Sequence, residues 1–297
     1  GECVLLILVA GLRLVVGGDT QTYMTDFDRY PTLEELNIFT FAMFRYQPLW
    51  ILMNVIAKSI YPEFYVLQLM LSCIVNPVTF YIIKKETDKK FEVAIVFLLF
   101  QFLYLNCEIM RETFAICIFY FAFNYLIKHK WLKYYGLCFI AFLFHDAAAF
   151  YFILPFLLPV LTKEFTPKYV AILAIVLLVF VNPFVLSKML FFLPESRVDT
   201  FTDFYSKMAI GSVLGVMRSI IELPFIYLII MYVKGHVSYK VYIGLKLYFC
   251  LHIAGLLMPV FVNRICNSYN LFYYITLVEF LYVMRKKIIT GIYCTLM

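Results

Sequence analysis

The feature that most constrains this chain is a succession of apolar runs, separated by short polar stretches that hold most of its charge. A helix needs about 20 apolar residues to cross the hydrocarbon core of a bilayer, with a range of about 17–25. Candidate runs are Cys3–Val16, Phe64–Ile83, Phe91–Cys107, Ile109–Ile127, Tyr134–Phe144, Ala147–Leu161, Tyr169–Leu193, Val213–Val233, Val241–Val262 and Asn267–Met284. Some are short. The two around His145 read either as one kinked helix or as two broken halves, an interruption tolerated only against protein or beside a wet cavity. The expectation is an all-α, polytopic transmembrane helical bundle with about ten spans, supplemented by amphipathic or re-entrant helices on its outer side.

Composition excludes the main alternative. Apolar residues make up 64% of the chain and charged residues 15%, against about 45–50% and 25% in soluble domains. So few polar side chains cannot clothe a globule in water, which rules out a soluble enzyme. No basic block of the kind that grips nucleic acid is present. The cysteines, 8 in all, form no CxxC pair and read as small buried hydrophobes rather than as a disulfide frame or a metal site. No basic stretch precedes the apolar run that is under way at Cys3, so no signal peptide is expected there. The expectation is instead that one or more spans precede Gly1.

Charge placement sets an orientation. The loops with Lys84, Lys85, Lys89 and Lys90, with Lys128, Lys130 and Lys133, with Lys163 and Lys168, with Lys234 and Lys240, and with Arg285, Lys286 and Lys287 fall on one side if the spans alternate. That side is cytoplasmic by the positive-inside rule. The alternation requires Pro48–Ile60 to be a short helix that does not cross. Seven arginines, namely Arg13, Arg29, Arg45, Arg111, Arg197, Arg218 and Arg264, lie elsewhere, mostly towards the other face. The chain reads as one transmembrane domain over residues 1–297, with an outer polar loop at 17–47 and an outer amphipathic segment at 194–210. In the latter, Val198, Phe201, Phe204, Tyr205 and Met208 recur at helical spacing, as in a helix lying in the membrane interface.

Ionisable groups at membrane depth are costly and therefore candidates for function. Arg111 stands with Glu108 and Glu112 at the start of one span. It reads either as an ion pair with Glu108, three residues before it, or as a diphosphate ligand together with Arg264. Guanidinium matches phosphate oxygens bidentately and keeps its charge. Arg197 and Arg218 admit a plainer reading, snorkelling to lipid phosphates. His145 and Asp146 interrupt an apolar stretch and precede the small residues Ala147–Ala149. A neutral imidazole there can accept a proton near pH 7, whereas the competing reading is a satisfied packing histidine. Asp26-Phe27-Asp28 is a DxD in a polar loop, where an ordinary solvated acidic loop is the stronger reading. Gly211–Gly215 is a GxxxG at a span boundary.

Several stretches resemble the EpsG family, Wzy-like polymerases of bacterial surface polysaccharides. They are Gly11-Leu12-Arg13 with Gly17-Gly18-Asp19-Thr20 and Tyr23; Gln47-Pro48-Leu49-Trp50, with glutamine where the family has glutamate; Met110-Arg111-Glu112-Thr113-Phe114-Ala115, with Glu112 where glutamine is usual; Ala141–Ala148 around His145, without the family's serine; and Val262-Asn263-Arg264 with Tyr269 and Phe272. The resemblance implies polymerisation of undecaprenyl-diphosphate-linked oligosaccharides at the outer side of a bacterial inner membrane. Membrane lipid is the surrounding partner, and a chain-length regulator and a flippase of the same pathway are further partners. Arg111, Arg264 and Arg13 would neutralise the diphosphate. His145 would take or orient the acceptor hydroxyl proton, with Asp19 as a competing base. Glu108, Glu112, Asp146, Tyr23 and Gln47 would line the substrate. No cofactor and no metal is required. The rival readings are a flippase for lipid-linked sugars, a polyprenyl-phosphate-sugar glycosyltransferase and a non-catalytic assembly subunit.

Overall fold

The computed structural model describes residues 2–44, 46–180, 209–257 and 259–296, and every described element is helical or a turn. Most of segment 194–210, together with Arg45, Arg197 and the last part of the Tyr169–Leu193 run, lies outside the described residues. The chain groups into two compact units, residues 1–155 and 156–297.

The first unit begins with α1 (Glu2–Gly11), which lies along α5 (Phe64–Glu86). A Cβ at Gly11 would stand 2.5 Å from the Leu69 side chain, so the absence of a side chain is what lets the two helices approach. The Ser72 hydroxyl donates to the Ile7 carbonyl at 3.1 Å across the same contact. The polar stretch that follows carries two short helices, α2 (Thr20–Arg29) and α3 (Ile38–Met43). Asn37 caps α3 by accepting from the Thr40 amide, and the Thr40 hydroxyl accepts from the Asn37 amide in return, which satisfies two amide donors that the first turn leaves open.

Helix α4 (Pro48–Ile60) starts at a proline, whose fixed φ suits the first helical position. Its bounds are those read for the short helix in the sequence. Helix α5 runs past the expected Ile83 to Glu86, because Lys84, Lys85 and Glu86 favour helix. The run Phe91–Cys107 is interrupted. Helix α6 (Lys90–Phe100) gives way to a single π turn at Tyr104–Glu108 before α7 (Met110–Ile127). In that turn the buried amides of Asn106 and Asn76 face each other at 3.4 Å, each also donating to the carbonyl four residues back. Helix α8 (Trp131–Phe142) packs on α7 and ends just before His145, where a 3-10 segment (Asp146–Ile153) begins and leads into α9 (Leu154–Thr162). The stretch around His145 is therefore two broken halves. The core of this unit gathers Tyr23 and Phe27 from α2, Trp50 from α4, Leu67, Leu71 and Val75 from α5, and Met110 and Phe114 from α7.

In the second unit α10 (Pro167–Phe180), α11 (Ala209–Val233), α13 (Pro259–Cys266) and α14 (Asn270–Leu296) pack around α12 (Tyr239–Ala254). Nearly every residue of α12 from Lys240 to Ala254 is buried, so its apolar side chains face protein on every side and its few polar ones, Lys240, Lys246 and His252, are buried with them. Gly244 abuts Phe272 so closely that a Cβ would clash at 2.4 Å. The Val241–Val262 run breaks after Ala254, at Gly255 and the turn that leads to Pro259. Lys246, 2% exposed, points its ammonium at the carbonyls of Leu161 (3.0 Å) and Lys163 (2.7 Å), so a cation caps the end of α9.

Among the described residues three helices are long and apolar enough to cross a bilayer unaided: Phe64–Glu86, Met110–Ile127 and Val213–Val233. Shorter apolar helices accompany them at Pro48–Ile60, Asp146–Thr162 and Pro167–Val179. Large hydrophobic side chains such as Leu5, Phe91, Leu99, Leu132, Phe156 and Ile221 stand exposed on helix surfaces, the surface expected of a multi-pass membrane protein whose solvent is lipid.

Candidate functional site

The first unit assembles most of the sequence-derived residues around Arg111. The π turn and the short non-helical step at Ile109 end the preceding helix, so Arg111 sits in the first turn of α7. Its Nη1 donates to Gln47 Oε1 at 3.1 Å. Gln47 is the residue just before α4, and its extended backbone follows from the proline after it. The guanidinium lies over the Tyr46 ring, 4.3 Å from its centroid, a cation–π contact. The Tyr46 hydroxyl donates to Asp26 Oδ2 at 2.6 Å, so α2 fixes the ring on which Arg111 rests. Arg111 Nε is buried and carries no hydrogen bond. Glu108 does not pair with Arg111. Its Oε1 accepts instead from the Gly18 amide at 2.8 Å.

That bond ties the polar stretch to the mouth of α7. Gly17 has φ +104°, a backbone conformation that favours glycine, and a Cβ there would come within 2.9 Å of the Cys107 carbonyl. The buried Thr20 hydroxyl also meets that carbonyl at 3.1 Å. Asp19 precedes α2, and its exposed carboxylate makes no capping bond. Tyr23, one turn on, is buried with its ring edge against Trp50 at 5.5 Å between centroids. Burial pushes the Tyr23 phenol up, and the Arg111 guanidinium pulls the other way, while Asp19 and the buried Glu112 add to the upward push. Arg13 reaches the same helix start. Its Nη2 contacts Met110 Sδ at 3.6 Å, its Nη1 donates to the Ala10 carbonyl, and its Nε is buried without a hydrogen bond.

His145, 5% exposed, is the N-cap of the 3-10 segment, and its Nδ1 accepts from the Ala147 amide at 3.2 Å. In the neutral ring this leaves the proton on Nε2. The exposed Asp146 carboxylate lies 3.6 Å from Nδ1. Two contacts link this corner to Arg111. The Leu143 carbonyl accepts from the Leu49 amide at 3.0 Å, two residues after Gln47, and Phe144 stacks on Phe114 at 5.0 Å, one turn after Arg111. Arg111, Gln47, Tyr23, Asp19, Glu112, Glu108, Arg13, His145 and Asp146 thus belong to one unit. Arg264, exposed on α13, belongs to the other.

The sequence reading missed two members. Tyr46, beside Gln47, is visible only once Arg111 is placed over it, and no sequence spacing links residues 46 and 111. The second is a charged cluster in the second unit. Arg218 Nε donates to Glu222 Oε1 at 2.8 Å, and Glu222 Oε2 lies 2.7 Å from Nε2 of the buried His252. A signal was present in the Arg–Glu spacing of four residues within an apolar run.

In comparison with protein families, the model of the EpsG family matches residues 3–297. Comparison with curated proteins and with solved structures gives no significant match.

Proposed function

The chain belongs to the EpsG family over nearly its whole length, and from that premise we propose that it polymerises lipid-linked oligosaccharide repeat units during assembly of a surface polysaccharide. It works as a multi-pass protein of a bacterial inner membrane, with its site towards the exterior face. Counted with the shorter apolar helices each crossing singly, Pro48–Ile60 apart, the spans come to about ten. The observation that carries the reading is Arg111: a guanidinium at membrane depth, steadied by Gln47 and Tyr46, with no carboxylate partner among the described residues and a buried Nε that makes no hydrogen bond. Such a group is a ready ligand for a phosphate oxygen.

In the reaction, a hydroxyl oxygen of one lipid-linked unit forms a bond to the anomeric carbon of another. The bond from that carbon to the diphosphate oxygen breaks, and undecaprenyl diphosphate leaves with the electron pair. The diphosphate is already a good leaving group, so the protein has to stabilise its charge, orient the hydroxyl and remove one proton. Arg111 and Arg13 supply fixed positive charge where negative charge grows. His145, whose Nδ1 accepts from the Ala147 amide, orients the acceptor hydroxyl. Asp19, exposed and uncapped, takes the proton.

The test is reconstitution of the purified protein with undecaprenyl-diphosphate-linked repeats. A ladder of longer lipid-linked chains is expected. Movement of repeats across the bilayer without any lengthening would replace this reading by a flippase.

A further inference from the structure

We propose that Arg218, Glu222 and His252 form a second anion site, in the second unit, that holds the diphosphate of a lipid-linked sugar. Naming the ligand rests on the polymerase reading; the existence of an anion site does not.

Proton bookkeeping carries the argument. His252 Nδ1 lies 3.0 Å from the Tyr248 carbonyl, which can only accept, so Nδ1 holds a hydrogen. Cys266 Sγ is a further neighbour of that nitrogen at 3.8 Å. Nε2 lies 2.7 Å from Glu222 Oε2, so one proton must lie between them. With that proton on the ring the pair is imidazolium and carboxylate; with it on the carboxyl both are neutral. Either way the pair sums to zero and Arg218 leaves a net charge of +1. The other polar side chains beside them, Tyr248, Tyr273, Tyr274 and Cys266, include no carboxylate and no amine.

This positive charge lies inside a candidate membrane span, Val213–Val233, about 7.5 Å past Val213 by the rise per residue. An unbalanced charge there calls for an anion. Arg218 also has the means to bind one. Its Nε is committed to Glu222, its side chain is 50% exposed, and no hydrogen bond occupies Nη1 or Nη2 among the described residues. Those nitrogens remain free for a bidentate grip on phosphate. A snorkelling arginine needs no such mounting. Here Glu222 fixes the guanidinium plane, His252, 2% exposed, fixes Glu222, and a main-chain carbonyl fixes His252. Glu222 and His252 are positioning residues. Tyr248 stacks on Tyr273 at 4.9 Å and lies 4.3 Å from the His252 ring, which holds the imidazole from its other side. A polymerase joins two lipid-linked units, each with its own diphosphate, so two anion sites match its two substrates.

The experiment is equilibrium binding of radiolabelled undecaprenyl diphosphate to the full chain in phosphatidylcholine nanodiscs. Two equivalents are expected for the native protein, and one each for Arg218→Ala and Arg111→Ala. Arg218→Lys, which keeps the charge but not the fork, should weaken that site at least about tenfold. Glu222→Gln should weaken it as well, without abolishing it, at an unchanged melting temperature. Undiminished stoichiometry in Arg218→Ala and undiminished affinity in Arg218→Lys would overturn the proposal. Competition by inorganic diphosphate or phosphatidylglycerol as strong as by the lipid diphosphate would overturn the ligand assignment in favour of a free anion or an ordinary headgroup. Two equivalents reduced to one in Arg218→Ala, with no polymer from the native protein, would support the site and sink the polymerase; polymer with unchanged Arg218→Ala binding would do the reverse.

Discussion

Replacing Arg111 by lysine isolates geometry from charge. The lysine keeps a positive group near the same place but loses the planar fork that bonds Gln47 Oε1 at 3.1 Å and lies over Tyr46 at 4.3 Å. A hydrogen bond to a charged group contributes about 1.5–3 kcal/mol, and a partly buried cation–π contact about 0.5–2 kcal/mol. If one phosphate contact and its steadying neighbours are lost in the transition state, the barrier rises by about 2–4 kcal/mol. At 1.36 kcal/mol per factor of ten, polymerisation should slow by roughly 30- to 1,000-fold. The assay is the initial rate of chain lengthening by reconstituted protein at matched amounts, with the melting temperature as a control on folding. Gln47→Ala sharpens it. Gln47 acts through Arg111, so the double variant with Arg111→Ala should be no slower than Arg111→Ala alone, a non-additivity expected of neighbours. A lysine variant within about threefold of the native rate, or additive Gln47 and Arg111 effects, would refute the clamp.

Three further outcomes follow from the packing. His145→Gln should give a folded protein, by melting temperature, with polymer output reduced at least about tenfold; native output would leave His145 as a cap and nothing more. Gly17→Ala adds a Cβ at a positive φ and against the Cys107 carbonyl, and should destabilise the protein by about 1–3 kcal/mol, read as a lowered melting temperature in detergent. Lys246→Met strips the Leu161 and Lys163 carbonyls of their cation and should cost about 2–4 kcal/mol by the same measurement; an unchanged midpoint would show that the two carbonyls find other donors.

The sequence made the helical architecture legible wherever local chemistry decides an end. The proline of α4 and the lysine-flanked ends of α5 and α7 stand within a few residues of where apolar length and charge put them. Interruptions were harder. The π turn at Tyr104–Glu108 is stabilised by an Asn106–Asn76 contact between residues thirty apart, which no local pattern reveals. The break after Ala254 is marked only by Gly255 and Pro259, within a run that is otherwise apolar apart from Lys246 and His252. The site divides in the same way. Arg111, His145 and Gln47 were legible as polar groups in apolar surroundings or as motif members, while Tyr46 and His252 acquire meaning only from partners that tertiary packing brings to them.

The π turn ahead of α7 has a consequence for how this chain tolerates length changes. A π turn holds one residue more than an α-turn, and each α-helical residue advances by about 100°. Deleting a single residue between Tyr104 and Glu108 would remove that extra residue and turn the start of α7 by about 100°, swinging the guanidinium of Arg111 about a quarter-turn away from the Tyr46 ring. The spacing between Phe100 and Met110 is in effect a phase setting, and a shortened homologous segment would have to aim its arginine by some other means.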